Sequence, residues 1–127
     1  MADVVLDSSA VIAFLQREPG ADVVGKVITR SIVSTVNAAE IVAKLIQYGL
    51  TADEAADSMM ALPVRKLPFD LDQALTAGTM WGRSKSMGLS LGDRACLALA
   101  EAMKLPAMTS DRRWAEFDAK IEIRLIR

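Results

Sequence analysis

The rhythm of apolar positions changes several times along this chain, and each change marks an element. Val4-Val5-Leu6 is a short continuous apolar run, as expected for a strand covered on both faces. From Ser9 the spacing becomes Val11, Ile12, Leu15, a helical pattern that Pro19-Gly20 stops. Ile32-Val33 predicts a second strand between serines, and Ala38, Ile41, Val42 and Leu45 make one helical stripe from Val36 to Gln47, closed by Gly49. Another helix begins at Thr51 and ends before Pro63, and Val64 to Leu67 reads as a strand. Leu71 to Met87 reads as helix despite Gly78 and Gly82, and so does Ser90 to Lys104. Pro106 then starts the strand Ala107-Met108-Thr109, and a short helix follows Asp111. Near the end Ile121, Ile123 and Leu125 alternate with Glu122 and Arg124, the pattern of an edge strand with one wet face.

Strands that alternate with helices predict an α/β fold: a mostly parallel central sheet of about five strands, flanked by helices on both sides. At 127 residues, with no internal repeat or dividing linker, the expectation is a single domain over 1–127.

Composition narrows the chemistry. With 52% hydrophobic and 24% charged residues the chain reads as globular. Cys96 is alone, which rules out an intramolecular disulfide and fits a reducing cytoplasm. No basic leader and no long apolar segment stand in it, so neither secretion nor membrane insertion is expected. The chain contains no histidine, which removes Ser-His and Cys-His triads, imidazole-catalysed RNA cleavage and the usual zinc sites. A net charge of −1 excludes a generally basic nucleic-acid binder but leaves room for a local patch.

Four acids then stand out. In open α/β sheets the ligand crevice lies beyond the carboxyl ends of the strands. Asp7 and Asp111 follow predicted strands, and Glu40 and Asp93 sit near helix starts that face or follow that edge. Each has an ordinary explanation. Asp7 or Ser8 could cap the next helix, Glu40 fits a cap with Asn37 or an ion pair with Lys44, Ser90-Leu91-Gly92-Asp93 has capping-box form, and Asp111 could cap a turn. Together they are harder to dismiss, because two carboxylates about 4 Å apart repel by roughly 4 kcal/mol at an effective dielectric near 20. A divalent cation resolves that conflict. Oxygen-only ligands favour Mg2+ or Mn2+, and such an ion supports phosphodiester hydrolysis without histidine.

The segments "VVLDSSAVIAFLQREPGA", "STVNAAEIVAKL", "LSLGDRACLALA" and "LPAMTSDRRW" resemble, in order, the four acidic segments of PIN-domain ribonucleases, and among them the VapC-type toxins of bacterial toxin–antitoxin pairs. The similarity runs from Asp3 to about Phe117. The resemblance implies a three-layer α/β/α fold and a Mg2+-dependent (or Mn2+-dependent) endoribonuclease that cuts structured RNA, tRNA or rRNA, to block translation. By position it implies Asp7 and Asp93 as the surest metal ligands, Asp111 close to the ion, and Glu40 binding through water or orienting the nucleophile. Ser8 and Thr109 match positions that line the family's site. It also implies a cognate antitoxin and a homodimer of toxins, and an acidic pocket would suit an inhibitor bearing Arg or Lys.

Arg83, Lys85, Arg94, Arg112 and Arg113 are candidates for phosphate contact, Arg94, Arg112 and Arg113 because they adjoin these acids. Trp81 and Trp114 could stack bases, although core packing is the commoner use, and Met59, Met60, Met80 and Met87 read as core first. Arg17, Glu18 and Gly20 read as no more than a helix end. The apolar helices from Ala38 to Leu62 are the expected antitoxin contact. Two other readings compete. A non-catalytic domain that binds RNA or a partner does not explain four acids. An aspartyl-phosphate phosphatase would want an acid where Ser9 stands, and a receiver would want acids paired with Asp7. No G-x-G-x-x-G follows Leu6, which disfavours a dinucleotide site.

Overall fold

A computed structural model describes residues 2–84, 87–117 and 119–127. In chain order its elements are β1 (Val4–Leu6), α1 (Ser8–Gln16), α2 (Ala21–Gly25), β2 (Ser31–Ser34), α3 (Thr35–Gln47) and α4 (Ala52–Ala61). Then come β3 (Arg65–Leu67), α5 (Leu71–Thr79), α6 (Trp81–Ser84), α7 (Leu91–Met103), β4 (Ala107–Thr109) and β5 (Ile123–Leu125). Short 3-10 turns cover Ile28–Arg30 and Arg112–Glu116.

The five strands form one sheet in the order β3-β2-β1-β4-β5, and every neighbouring pair is parallel. The central strands are buried on both faces, and successive side chains enter alternate cores, as the strand period of two requires. Val4, Leu6, Val33 and Met108 enter one core with Val11 of α1, Ile41 and Leu45 of α3 and Met59 of α4. Val5, Ile32 and Ala107 enter the other, with Ala77 of α5, Cys96 to Ala100 of α7, Met80, Trp114 and Phe117. These are the three layers: α1 to α4 on one side, and α5 with α7 on the other.

β1 is central, with β2 on one side and β4 on the other. The chain therefore reverses its direction of travel across the sheet beside β1, which is where open α/β sheets leave a crevice at the strands' carboxyl ends. Asp7 ends β1, and Ser110-Asp111 ends β4.

The structure differs from the sequence expectation in three places. The helix expected over 71–87 breaks after Thr79, whose hydroxyl turns back to donate to the Thr76 carbonyl, close to the weak helix former Gly78. Residues 85 and 86 of that expected helix lie outside the described residues. The short helix α2 was not expected; Gly20 opens it at φ +96. A Cβ at Gly20 would come within 2.7 Å of the Ile126 carbonyl oxygen, and Glu18 and the Pro19 carbonyl both accept from the Arg127 guanidinium. Glu18 and Gly20 are thus more than a helix end: they clamp the segment after β5.

Candidate active site

Asp7 occupies the N-cap position of α1, yet its side chain accepts no capping bond. Both hydroxyl protons available to it go to one oxygen: Ser9 Oγ donates to Oδ2 at 2.7 Å and Thr109 Oγ1 donates to the same Oδ2 at 2.9 Å. Those hydroxyls are oriented in turn by backbone donors. Ser110 N–H donates to Ser9 Oγ at 3.0 Å, and Asp111 N–H donates to Thr109 Oγ1 at 3.1 Å. The end of β4 thereby sets the rotamer of a carboxylate at the end of β1. Among the described residues Oδ1 accepts no hydrogen bond.

Asp7 is only 4% exposed, and burial raises its carboxyl from an ordinary 3.8 to about 6. The Ser9 and Thr109 hydrogen bonds oppose that rise, while the negative charges of Asp93 and Glu40 add to it.

Glu40 lies on the first half of α3, whose cap is Ser34 rather than Asn37: Ser34 Oγ accepts from Val36 N–H. Asn37 is fully buried inside the helix, and its Nδ2 reaches three acceptors: Glu40 Oε1 at 2.9 Å, the Gly92 carbonyl at 3.0 Å and Ser8 Oγ at 3.2 Å. Ser8 Oγ also donates to Glu40 Oε1. Ser8 and Asn37 thus both serve Oε1, and the Glu40 carboxylate lies over Gly92, where a Cβ would collide with it. The Glu40–Lys44 ion pair is not among the salt bridges of the described residues.

Asp93 does complete the expected capping box. Asp93 N–H donates to Ser90 Oγ at 3.2 Å, and Ser90 N–H donates to Asp93 Oδ2 at 2.9 Å. Burial raises its carboxyl above the ordinary range, the Ser90 bonds lower it, and Asp111 and Glu40 repel its charge. The buried Cys96 thiol, one turn further along α7, registers the same assembly: burial raises it first, and the charges of Asp7, Asp93 and Glu40 raise it further.

Asp7, Glu40 and Asp93 line a single cleft of about 490 Å3 with Ser8, Ser9, Lys44, Ser110 and Arg127. The N-termini of α1 and α7 open on it, so two helix dipoles favour negative charge there, while α3 lines it from Glu40 to Gln47. Asp111 stands beside it, coupled to Asp93 but held by Arg113, which donates from Nη2 at 2.6 Å and from Nε at 3.0 Å. Those bonds hold the Asp111 carboxyl below its ordinary value. Among the described residues no three acids are closed to ion-binding distance as they stand. Ser8 and Asn37 occupy Glu40, Ser90 occupies Asp93 and Arg113 occupies Asp111.

The cations divide. Arg83 pairs with Glu101 at 3.3 Å and lies over the Phe117 ring, so it serves the fold. Arg94 donates to the Ala77 carbonyl, Arg113 to Asp111 and the Met87 carbonyl, and Arg112 is exposed. Lys85 lies outside the described residues. Trp114 is fully buried core, whereas Trp81 is 55% exposed. Met59 and Met80 are core, but Met60 is exposed. Ser9, Asn37 and Gly92 are the contributors that sequence reasoning missed. Their signal was only a second serine after Asp7, an Asn one turn before an acid, and a Gly beside another.

A larger cleft, about 840 Å3, lies against Pro106 and Ile121, at the strands' amino ends. Size favours it, but the convergent acids and helix starts are in the smaller one. Chemistry decides for the smaller.

A family model described as PIN domain matches residues 4–120. The chain belongs to the PIN-domain family. Its fold is shared with solved structures of low sequence identity. A toxin–antitoxin complex from Klebsiella pneumoniae matches at TM-score 0.76 and 16% identity, over 98% of each chain. The sarcin-ricin loop cleaving toxin VapC20 of Mycobacterium tuberculosis matches at TM-score 0.75 and 17% identity, over 90% of this PIN domain and 94% of that chain. VapBC-5 from Mycobacterium tuberculosis matches at TM-score 0.62 and 24% identity, over 100% and 99%. No curated protein matches the chain.

Proposed function

We propose that this PIN domain is a Mg2+-dependent endoribonuclease, the toxin of a toxin–antitoxin pair, that hydrolyses a structured RNA of the translation machinery. The observation that carries the reading is the meeting of Asp7, Glu40 and Asp93 in one cleft, from the end of β1, the middle of α3 and the start of α7. A fold that needed only caps would not direct two hydroxyls onto an uncapped, buried carboxylate and raise its pKa to about 6. Such an electrostatically uncomfortable group is a functional-site signature.

The donor set fits a hard divalent cation: oxygen ligands only, mutually repelling, with two of the acids raised by burial and like charge. When bound, that ion supplies Lewis acidity, lowering the pKa of a water and offsetting charge on phosphate oxygens. Asp7 and Asp93 hold it in this reading. Glu40, fixed by Asn37 and Ser8, orients the attacking water and takes its proton. Asp111 adds outer negative charge, which Arg113 restrains. Ser9 and Thr109 keep Asp7 in one rotamer, and Arg112 and Lys44 meet phosphates at the rim. Mn2+ suits the same ligands.

rRNA gains support as the target class from the sarcin-ricin loop activity of one structural neighbour, with tRNA the other. An antitoxin partner is supported by the complexes among those neighbours, and a basic side chain of such a partner would suit the acidic cleft. Ile46, Tyr48 and Met60, exposed on or beside α3 and α4, are the apolar surface for its contact. Leu71 and Leu75, exposed one turn apart on α5, support a homodimer. Among the described residues no helix is long and apolar enough to cross a membrane, and the cytoplasm is the proposed location.

The test is the chemistry of the cut ends. Purified protein with Mg2+ should leave 3′-hydroxyl and 5′-phosphate ends, and Asp93→Asn should cut nothing while remaining folded. A 2′,3′-cyclic phosphate would mean that the ribose hydroxyl attacked and would refute the mechanism.

A further inference from the structure

Trp81 is a large aromatic ring that the fold leaves in water. It opens α6 and is 55% exposed, while the other tryptophan, Trp114, is fully buried. Gly78, one turn before it, and Gly82, next to it, bring no side chain of their own near the ring. The Arg94 guanidinium lies over the ring at 5.7 Å from its centroid, and it is fixed there by a hydrogen bond from Nη1 to the Ala77 carbonyl at 3.0 Å. An anchored cation on an indole is a favourable pairing, and it stiffens the ring. Arg94 is the next residue on α7 after Asp93, whose carboxylate lines the acidic cleft. Leu91, three residues before Arg94 and so on the same helix face, is 53% exposed.

We infer that Trp81, backed by Arg94, is a stacking platform for an unpaired base of the RNA, next to the scissile phosphate. The inference rests on the nuclease reading above and adds to it a subsite and a substrate class: a segment with a splayed, single-stranded nucleotide. Single-stranded nucleic acid is held where an aromatic face adjoins fixed positive charge, because every base has a π-face to stack and a phosphate beside it. Arg94 covers one face of the indole, leaving the other for the base. The same ring would have little to offer a duplex, whose bases are stacked on each other.

Tryptophan emission tests this directly, because the buried Trp114 gives a background that a ligand at the surface does not reach. In Asp7→Asn protein, an unstructured RNA hexamer should quench Trp81 emission, while inorganic polyphosphate, which carries the charge without bases, should not. Trp81→Ala should weaken hexamer binding roughly 5- to 150-fold, the range of one base–aromatic stack, and Trp81→Phe should restore most of it. In the otherwise unmodified chain Trp81→Ala should raise KM with little change in kcat. Equal quenching by polyphosphate, or unchanged affinity in Trp81→Ala, would overturn the platform. So would emission that shifts to the blue with protein concentration alone, since the ring would then be covered by a second copy. Cleavage lost in Asp93→Asn with KM unmoved by Trp81→Ala would sink the platform and leave the nuclease standing. Quenching without any metal-dependent cleavage would do the reverse.

Discussion

The bare α-carbon of Gly92 lies against the carboxylate of Glu40, so closely that a β-carbon could not be added without moving the acid. Two elements distant in sequence, α3 and α7, are brought to that distance because Asn37 of α3 donates to the Gly92 carbonyl itself. The amide that holds Glu40 thus also sets the helix spacing that only glycine permits.

Gly92→Ala therefore has a sign that depends on its neighbour. In a helix interior alanine is favoured over glycine by about 1 kcal/mol. Here overpacking against Glu40 should outweigh that gain and destabilise by about 1–3 kcal/mol, with RNA cleavage falling at least tenfold because Glu40 is displaced. In a Glu40→Ala background the same substitution should instead stabilise. Urea denaturation of the four proteins completes the double-mutant cycle, and additivity would show that the two groups do not collide.

Asp7 makes the fold less stable at neutral pH. Its folded pKa, about 6, is above the ordinary 3.8, so the folded state holds the proton more tightly than the unfolded one. Below about pH 3.8 both states are protonated and the residue costs nothing. The penalty grows between pH 3.8 and 6 and is full above 6, at about 3 kcal/mol. Asp7→Asn should accordingly raise stability at pH 7.5 by an amount of that order, little at pH 4, while abolishing cleavage. Denaturation curves at the two pH values check it; equal effects at both would contradict the burial argument.

Much of this is legible in the sequence, and the reasons are local. The apolar run Val4-Val5-Leu6 followed by Asp7 placed a carboxylate at a strand end, because a continuous apolar run demands cover on both faces. Ser90 and Asp93 are three residues apart and formed the capping box that spacing describes. What stayed hidden depends on distance in the chain. Asn37 looked like a cap because capping and bridging use the same side chain; only the arrival of Gly92, 55 residues later, distinguishes them. The pairing of Glu18 with Arg127 spans 109 residues. The break after Thr79 was masked because glycine weakens a helix without marking where it stops.

Arg113 governs the acidity of Asp111. Its hydrogen bonds hold that carboxyl below 3.8, so Arg113→Gln should return the Asp111 pKa toward its ordinary value, read from carboxyl-carbon NMR shifts on titration. Because the Arg113 guanidinium is exposed to solvent and the pair is screened, the global stability should hardly change. An unmoved Asp111 titration would mean the pair does not persist in solution.

RNA binding should weaken with salt, but modestly. Arg83, Arg94 and Arg113 are committed to protein partners, which leaves few cations such as Arg112 and Lys44 for phosphates. Each contact to a single strand contributes a slope of about −0.7 in log K against log salt concentration. Arg112→Ala should reduce the slope by about that one step. A slope unchanged in Arg112→Ala would remove this residue from the RNA track.

The central claim is that Asp7 and Asp93 hold a divalent cation in the smaller cleft, with Glu40 facing its water. Anomalous diffraction from crystals grown with Mn2+ locates that ion without relying on activity. The account predicts a peak inside the smaller cleft, bounded by the carboxylates of Asp7 and Asp93 and lost in Asp93→Asn. A cleft without manganese at saturating concentration, or a peak confined to the acids of the opposite edge near Glu101 and Glu122, would contradict it.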